Sequence, residues 1–136
     1  MASSYMDIFQ LESCEGPLIA AAIHDGHSVR EDVAVRLALT SAERLREEDP
    51  YTAFWATVAP TRIVGLRSRF QVDLNRPREF AVYRKPEDAW GLEVWKHGGL
   101  WAEEVERSLA EYDAFYAAVH ELLSRAQKDH GRFVVL

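Results

Sequence analysis

The sequence predicts an α/β domain. Three observations carry that prediction. Short apolar runs alternate along the chain with helix-patterned segments. The longest helical pattern is followed at once by a β-branched run, the order found in the second half of a crossover. Finally, 136 residues that are 48% hydrophobic and 28% charged are enough for one core. No disulfide can assist, because Cys14 is the only cysteine, and its neighbours predict an inert, buried thiol.

The first strand is placed at Pro17–His24, an unbroken apolar run bounded by Gly16 and Asp25-Gly26, although its alanines would also suit a short helix. Val33, Leu37, Thr40, Ala42 and Leu45 recur at near-helical spacing and predict a helix over 31–48, stopped by Pro50. Thr61–Leu66 reads as a second strand. Residues 68–74 read as a third, with Phe70, Val72 and Leu74 alternating against Arg69, Gln71 and Asp73. Residues 77–99 hold two prolines, three glycines, Trp90 and Trp95, which predicts a long ordered loop, a lid or pocket wall. From Trp101 through Val105, Leu109, Tyr112, Tyr116, Val119, Leu123 and Ala126 one apolar stripe predicts a helix that Gly131 ends. Arg132–Leu136 is the last predicted strand. An unpaired edge there would favour self-association.

Charge narrows the function. The net charge is −6, which argues against a general nucleic-acid binder. Between Pro60 and Pro86, however, Arg62, Arg67, Arg69, Arg76, Arg78, Arg84 and Lys85 face only Asp73 and Glu79. A local cationic window in an acidic protein suits a small anionic ligand. The N-terminus has no basic segment followed by an apolar one, and no apolar run approaches the roughly 20 residues of a bilayer span, so a soluble cytoplasmic protein is expected. The sequence holds no P-loop, G-x-G-x-x-G, G-x-S-x-G or H-E-x-x-H motif.

Two segments carry chemistry. His24-Asp25-Gly26-His27 follows the first strand directly, where an open α/β sheet places its ligand site. Its two imidazoles could face one divalent ion, with Glu48 or Asp49 completing the set, or could simply cap a polar turn. The second segment is Arg67-Ser-Arg69-Phe-Gln-Val-Asp73-Leu-Asn75-Arg76-Pro77. Here Asn75 can hydrogen-bond a carboxylate while Arg76 pairs with it through both terminal nitrogens. Arg69 can polarise a carbonyl oxygen, and Asp73 can orient a guanidinium. Solvated arginines beside an Asn-Arg-Pro turn would look the same.

Together these segments resemble the N-formylglutamate amidohydrolase family. The resemblance rests on the apolar strand ending in His24-Asp25-Gly26-His27, the acidic Glu47-Glu48-Asp49-Pro50-Tyr51, and Arg69-Phe-Gln-Val-Asp73-Leu-Asn75-Arg76-Pro77 in that order; Asp-Leu-Asn-Arg is the most specific part. It implies a phosphorylase/hydrolase-like, zinc-carboxypeptidase-like fold: a mixed central sheet flanked by helices. It also implies hydrolysis of the N-acyl (formyl) amide of a small acidic amino acid such as N-formylglutamate, assisted by zinc or another divalent metal. On this resemblance His24 is a metal ligand, His27 and Glu48 are further candidate ligands, Asn75 and Arg76 hold the substrate carboxylate, and Arg69 stabilises the oxyanion. The chain departs from the family in having Asp25 where a His-Ser-Gly turn is common. It also ends at Leu136, before an Asp-x-His-Ser-type segment that would supply another metal-site histidine. Residues 1–136 are therefore expected to be the N-terminal part of a longer catalytic domain, inactive alone. Two other classes are a metal-free carboxylate- or phosphate-binding module built on the Arg69–Arg76 region, and an assembly subunit.

Overall fold

The computed structural model describes residues 7–136; residues 1–6, read above for a secretory signal, lie outside them. Its centre is a mixed four-stranded sheet made of β1 (Phe9–Glu12), β2 (Leu18–Ala22), β3 (Thr61–Gly65) and β4 (Val134–Val135), in the order β1-β3-β2-β4. β2 runs parallel to both β3 and β4, and β1 pairs antiparallel with β3. Helices cover both faces, as expected for a sheet whose central strands are parallel and buried. Ile19, Ala21 and Ile63 meet the long helix α4 (Ala102–His130) around Phe115 and Leu122. On the other face Ala20, Ala22 and Val64 meet Ala53 and Ala56 of α3 (Thr52–Ala56) and Ala59 just beyond it. Ala20 and Ala22, two of the alanines that made β2 ambiguous, let α3 approach closely.

Two predicted elements are corrected. The helix expected over 31–48 is two helices, α1 (Glu31–Ala34) and α2 (Ser41–Glu47). Thr40 starts the second: its Oγ1 accepts from the Glu43 N–H, and the Glu43 carboxylate accepts from the Thr40 N–H at 2.7 Å. Between the helices the chain turns at Val35 and Arg36, then Leu37 bridges to Trp95 and the Ala38 N–H donates to Val94 O. The strand expected over 68–74 is a turn, in which Ser68 O accepts from the Gln71 and Val72 N–H groups. The alternation misled because the polar members Gln71 and Asp73 are as buried as Phe70, Val72 and Leu74. Cys14 is exposed rather than buried, because it sits in the β1–β2 connection with its backbone tied to Thr61 Oγ1.

The 77–99 segment is ordered, with 3-10 turns at Arg78–Phe80 and Pro86–Ala89. It packs Tyr83, Ala89 and Val94 onto Val33, Leu37 and Phe70 as a second core beside the sheet. α4 ends at Gly131, whose φ of 71° is open to glycine at little cost. Its buried row differs from the predicted stripe: Glu104, Ser108, Glu111, Phe115, Leu122 and Ala126 face inward, while Trp101 and Tyr116 are exposed. No helix among the described residues is long and apolar enough to cross a membrane.

Candidate active site

The chemistry gathers at the C-terminal ends of the parallel strands β2 and β3, where their loops diverge. The turn after β2 lies so close to the chain after β3 that a Cβ on Gly26 would fall 2.2 Å from the Leu66 carbonyl carbon, so only glycine fits. Pairing resumes beyond it, with the Ser28 N–H donating to Leu66 O and the Ser68 N–H to Ser28 O. Asp25 accepts the Ala53 N–H at 3.0 Å, supplying α3 with a partner that its own first residues lack. The Asp49 N–H bonds His24 O at 2.8 Å and draws the acidic 47–49 segment to the turn.

Asp73 is the hub. It is fully buried, and five groups converge on its carboxylate. His24 Nε2 lies 3.0 Å from Oδ1, in contact although off the straight line of an ideal hydrogen bond. The Asn75 N–H donates to Oδ1 at 2.9 Å, and the Tyr83 hydroxyl donates to Oδ2 through a short bond. Arg69 Nη2 and Arg76 Nε approach Oδ2 at 3.3 and 3.4 Å. Burial alone would raise the Asp73 pKa. The hydrogen bonds from His24, Tyr83 and Asn75 outweigh it and hold the carboxyl well below the usual carboxylate range. Burial, then the neighbouring Asp73 charge, push the Tyr83 phenol above its ordinary value, so it stays a donor. Burial would lower Arg69, but Tyr83 and Asp73 raise it, so it stays cationic.

Two guanidiniums therefore share one carboxylate, leaving a net positive charge. Arg69 also donates to Glu47 O at 2.8 Å. Arg76 is committed only through Nε, and Asn75 beside it is exposed. This disposition can receive an anion: one arginine is anchored and its neighbour keeps its terminal fork free.

A second cluster adjoins. Glu48 is buried, and its Oε1 takes Arg44 Nη1 at 3.1 Å and the Ser68 hydroxyl through a short bond. Its Oε2 takes His27 Nδ1 at 2.5 Å. His27 Nε2 is engaged as well, 2.7 Å from Ser41 Oγ and 3.3 Å from Arg44 Nη2. The structure thus brings Arg69, Arg76 and His24 onto Asp73, and His27 onto Glu48. It does not assemble His24, His27 and Glu48: no group of three or more His, Cys, Asp or Glu side chains placed to hold a metal occurs among the described residues.

Sequence reasoning missed Tyr83, Arg44 and the polar row under α4. In that row Glu111 pairs with Arg30 and Arg67 at 3.3 and 3.2 Å and accepts from Gln71 through a short bond, while Glu104 pairs with Arg36 at 3.1 Å. The 104-108-111 spacing was the available signal, a helical row of polar groups able to answer arginines elsewhere. Nothing local marked Tyr83. The cavity of about 460 Å³ bounded by Cys14, Thr61, Asp129 and His130 lies at the opposite end of the parallel strands and shares none of these residues.

The family model of N-formylglutamate amidohydrolase matches residues 16–136. This chain belongs to the N-formylglutamate amidohydrolase family. Among solved structures, the crystal structure of N-formylglutamate amidohydrolase from Ralstonia eutropha JMP134 is similar at 22% identity and a TM-score of 0.74, over 95% of this chain and 55% of that one. The chain thus spans about half the length of that neighbour, and the likeness establishes the mixed α/β fold. No curated protein matches.

The metal that the family resemblance implies can be tested against these side chains. His24 fits. It is 4% exposed, its Nε2 lies 3.0 Å from the Asp73 carboxylate, and its Nδ1 is buried without a hydrogen-bond partner. A histidine that a carboxylate orients through one nitrogen presents the lone pair of the other, as metal-ligating histidines do. His27 has both ring nitrogens occupied, and Glu48 is satisfied by three donors, one of them a cation.

Proposed function

We propose that this chain forms the substrate-carboxylate pocket and part of the metal site of an amidohydrolase that cleaves the N-acyl amide, such as the formyl amide, of a small acidic amino acid. The observation that carries this reading is the convergence of His24, Arg69 and Arg76 on one buried carboxylate at the strand ends. Arg76 binds the substrate carboxylate through its free terminal nitrogens, and the exposed Asn75 amide adds a hydrogen bond. Arg69 is held rigid by Glu47 O and Asp73, and it stabilises the charge that develops on the amide oxygen. Asp73 keeps both guanidiniums in place and holds the His24 tautomer. His24 would hold the metal through Nδ1; His27 and Glu48 would join it by giving up their contacts to each other and to Arg44. A bound zinc or other divalent ion supplies Lewis acidity and a more acidic water.

Because this chain matches 55% of its structural neighbour, turnover is proposed for a protein of the neighbour's length and not for these residues alone. The test is formate release from N-formyl-L-glutamate by both lengths, with and without chelator. Chelator-sensitive release by the longer protein, with Arg76→Ala raising KM far more than it lowers kcat, supports the reading. No release at any metal concentration refutes it. The alternative is a metal-free anion-binding module, favoured by the absence of an assembled three-ligand cluster among the described residues. It predicts carboxylate binding that chelators leave unchanged.

A further inference from the structure

The two guanidiniums share a neighbour that the proposed chemistry leaves unused. Trp90 follows the Pro86–Ala89 turn with φ 55° and ψ 27°, the left-handed region that bulky side chains rarely adopt. The loop fixes it there: the Gly91 N–H donates to Pro86 O at 2.8 Å, Ala89 is wholly buried, and Trp95 Nε1 donates to Tyr83 O at 2.8 Å. Yet the Trp90 side chain stays 56% exposed, so the strained backbone does not serve core burial. Its ring lies 4.9 Å from Arg69 Cζ and 5.8 Å from Arg76 Cζ, and meets Tyr83 edge-on at 6.1 Å. Arg76 Cζ is also 4.5 Å from the Tyr83 ring, so its guanidinium neighbours two aromatic rings. Among the described residues its terminal nitrogens have no acceptor.

We propose that Trp90 is a positioning and specificity-determining residue of this site. It holds Arg69 and Arg76 in the planes that receive a carboxylate. Its solvent-facing indole surface forms the wall along which the ligand's carbon chain and planar amide lie. The site therefore prefers N-acyl amino acids to compact inorganic anions. This rests on reading Arg76 as the carboxylate binder.

The test is calorimetric titration of this chain with N-formyl-L-glutamate and, separately, with inorganic phosphate. The variants are Arg76→Ala, Trp90→Phe and Trp90→Asn, asparagine being tolerant of the left-handed backbone. Trp90→Asn is expected to weaken N-formyl-L-glutamate by about three- to fivefold, the scale of a partly exposed cation–π contact, and to weaken phosphate by less. Trp90→Phe should recover most of the loss. Indole emission should be quenched by the acyl ligand in the parent chain and not in Trp90→Phe, a readout that survives if Trp90→Asn folds poorly. Equal affinity for N-formyl-L-glutamate with and without Trp90 overturns the proposal, and so does an equal loss for both ligands. If the parent chain binds neither ligand and Arg76→Ala behaves identically, the carboxylate reading fails and takes the Trp90 role with it. If Arg76→Ala abolishes binding while both Trp90 variants bind normally, only the Trp90 role fails.

Discussion

Replacing Asp73 with asparagine removes the charge on which the site is organised and keeps the side-chain shape. The buried carboxylate faces two guanidiniums at 3.3 and 3.4 Å, the Tyr83 hydroxyl, the Asn75 N–H and His24 Nε2. Breaking a buried ion pair by removing one partner costs about 3–5 kcal/mol, because the other charge is left without compensation. Arg69 and Arg76 are 13% and 28% exposed at the side chain, so water recovers part of that loss and the lower end applies. Asp73→Asn should therefore destabilise the chain by about 3 kcal/mol, a fall of roughly 10 °C in Tm for a domain of this size. Urea denaturation at pH 7 and thermal melts monitored by circular dichroism measure it. The pH dependence has a definite sign. The folded pKa of Asp73 is depressed below the ordinary 3.8, so its stabilisation is present in full above that value and is lost as the pH falls below it. The gap between parent and Asp73→Asn should thus narrow on acidification below about pH 4. A variant within about 0.5 kcal/mol of the parent at pH 7, or a gap that does not change with pH, would refute the reading of Asp73 as the organising charge.

Further outcomes follow from the same geometry. Gly26→Ala forces a Cβ into the Leu66 backbone and should cost about 2–3 kcal/mol in urea denaturation, whereas Gly91→Ala meets no atom within 4 Å and should cost only the strain of its positive φ. Thr40→Ala removes the cap of α2 and should cost about 1 kcal/mol; no measurable change would mean the cap does not define the α1–α2 break. Glu111→Gln leaves Arg30 and Arg67 facing a neutral side chain and should lower Tm by several degrees without altering carboxylate affinity, because Glu111 touches none of the residues around Asp73.

Much of this organisation was legible because the signals were local. The apolar 17–24 and 61–66 runs became strands buried on both faces, and the 101–126 periodicity became α4, although its buried row is not the predicted apolar stripe. The long apolar pattern over 31–48 was legible only as a period; its interruption at 35–40 depends on Val94 and Trp95, which lie more than 50 residues away. The 68–74 alternation failed for a related reason. Gln71 and Asp73 are buried because Glu111, Tyr83 and two arginines satisfy them, and no single-segment pattern predicts partners from distant loops. At the site, Asp73 as the orienter of guanidiniums was readable from Asp-Leu-Asn-Arg. The division of the two histidines, His24 to Asp73 and His27 to Glu48, was not, because adjacent imidazoles on one turn can point to different loops.

The central claim is that Asp73 presents His24 to a metal beside an arginine-lined carboxylate pocket. A calorimetric zinc titration of this chain and of His24→Ala tests it most directly. The account predicts a single site in the parent that is lost in His24→Ala and weakened in Asp73→Asn, since the carboxylate orients the ligating ring. Identical titrations for the parent and His24→Ala, whether both bind zinc or neither does, would contradict it.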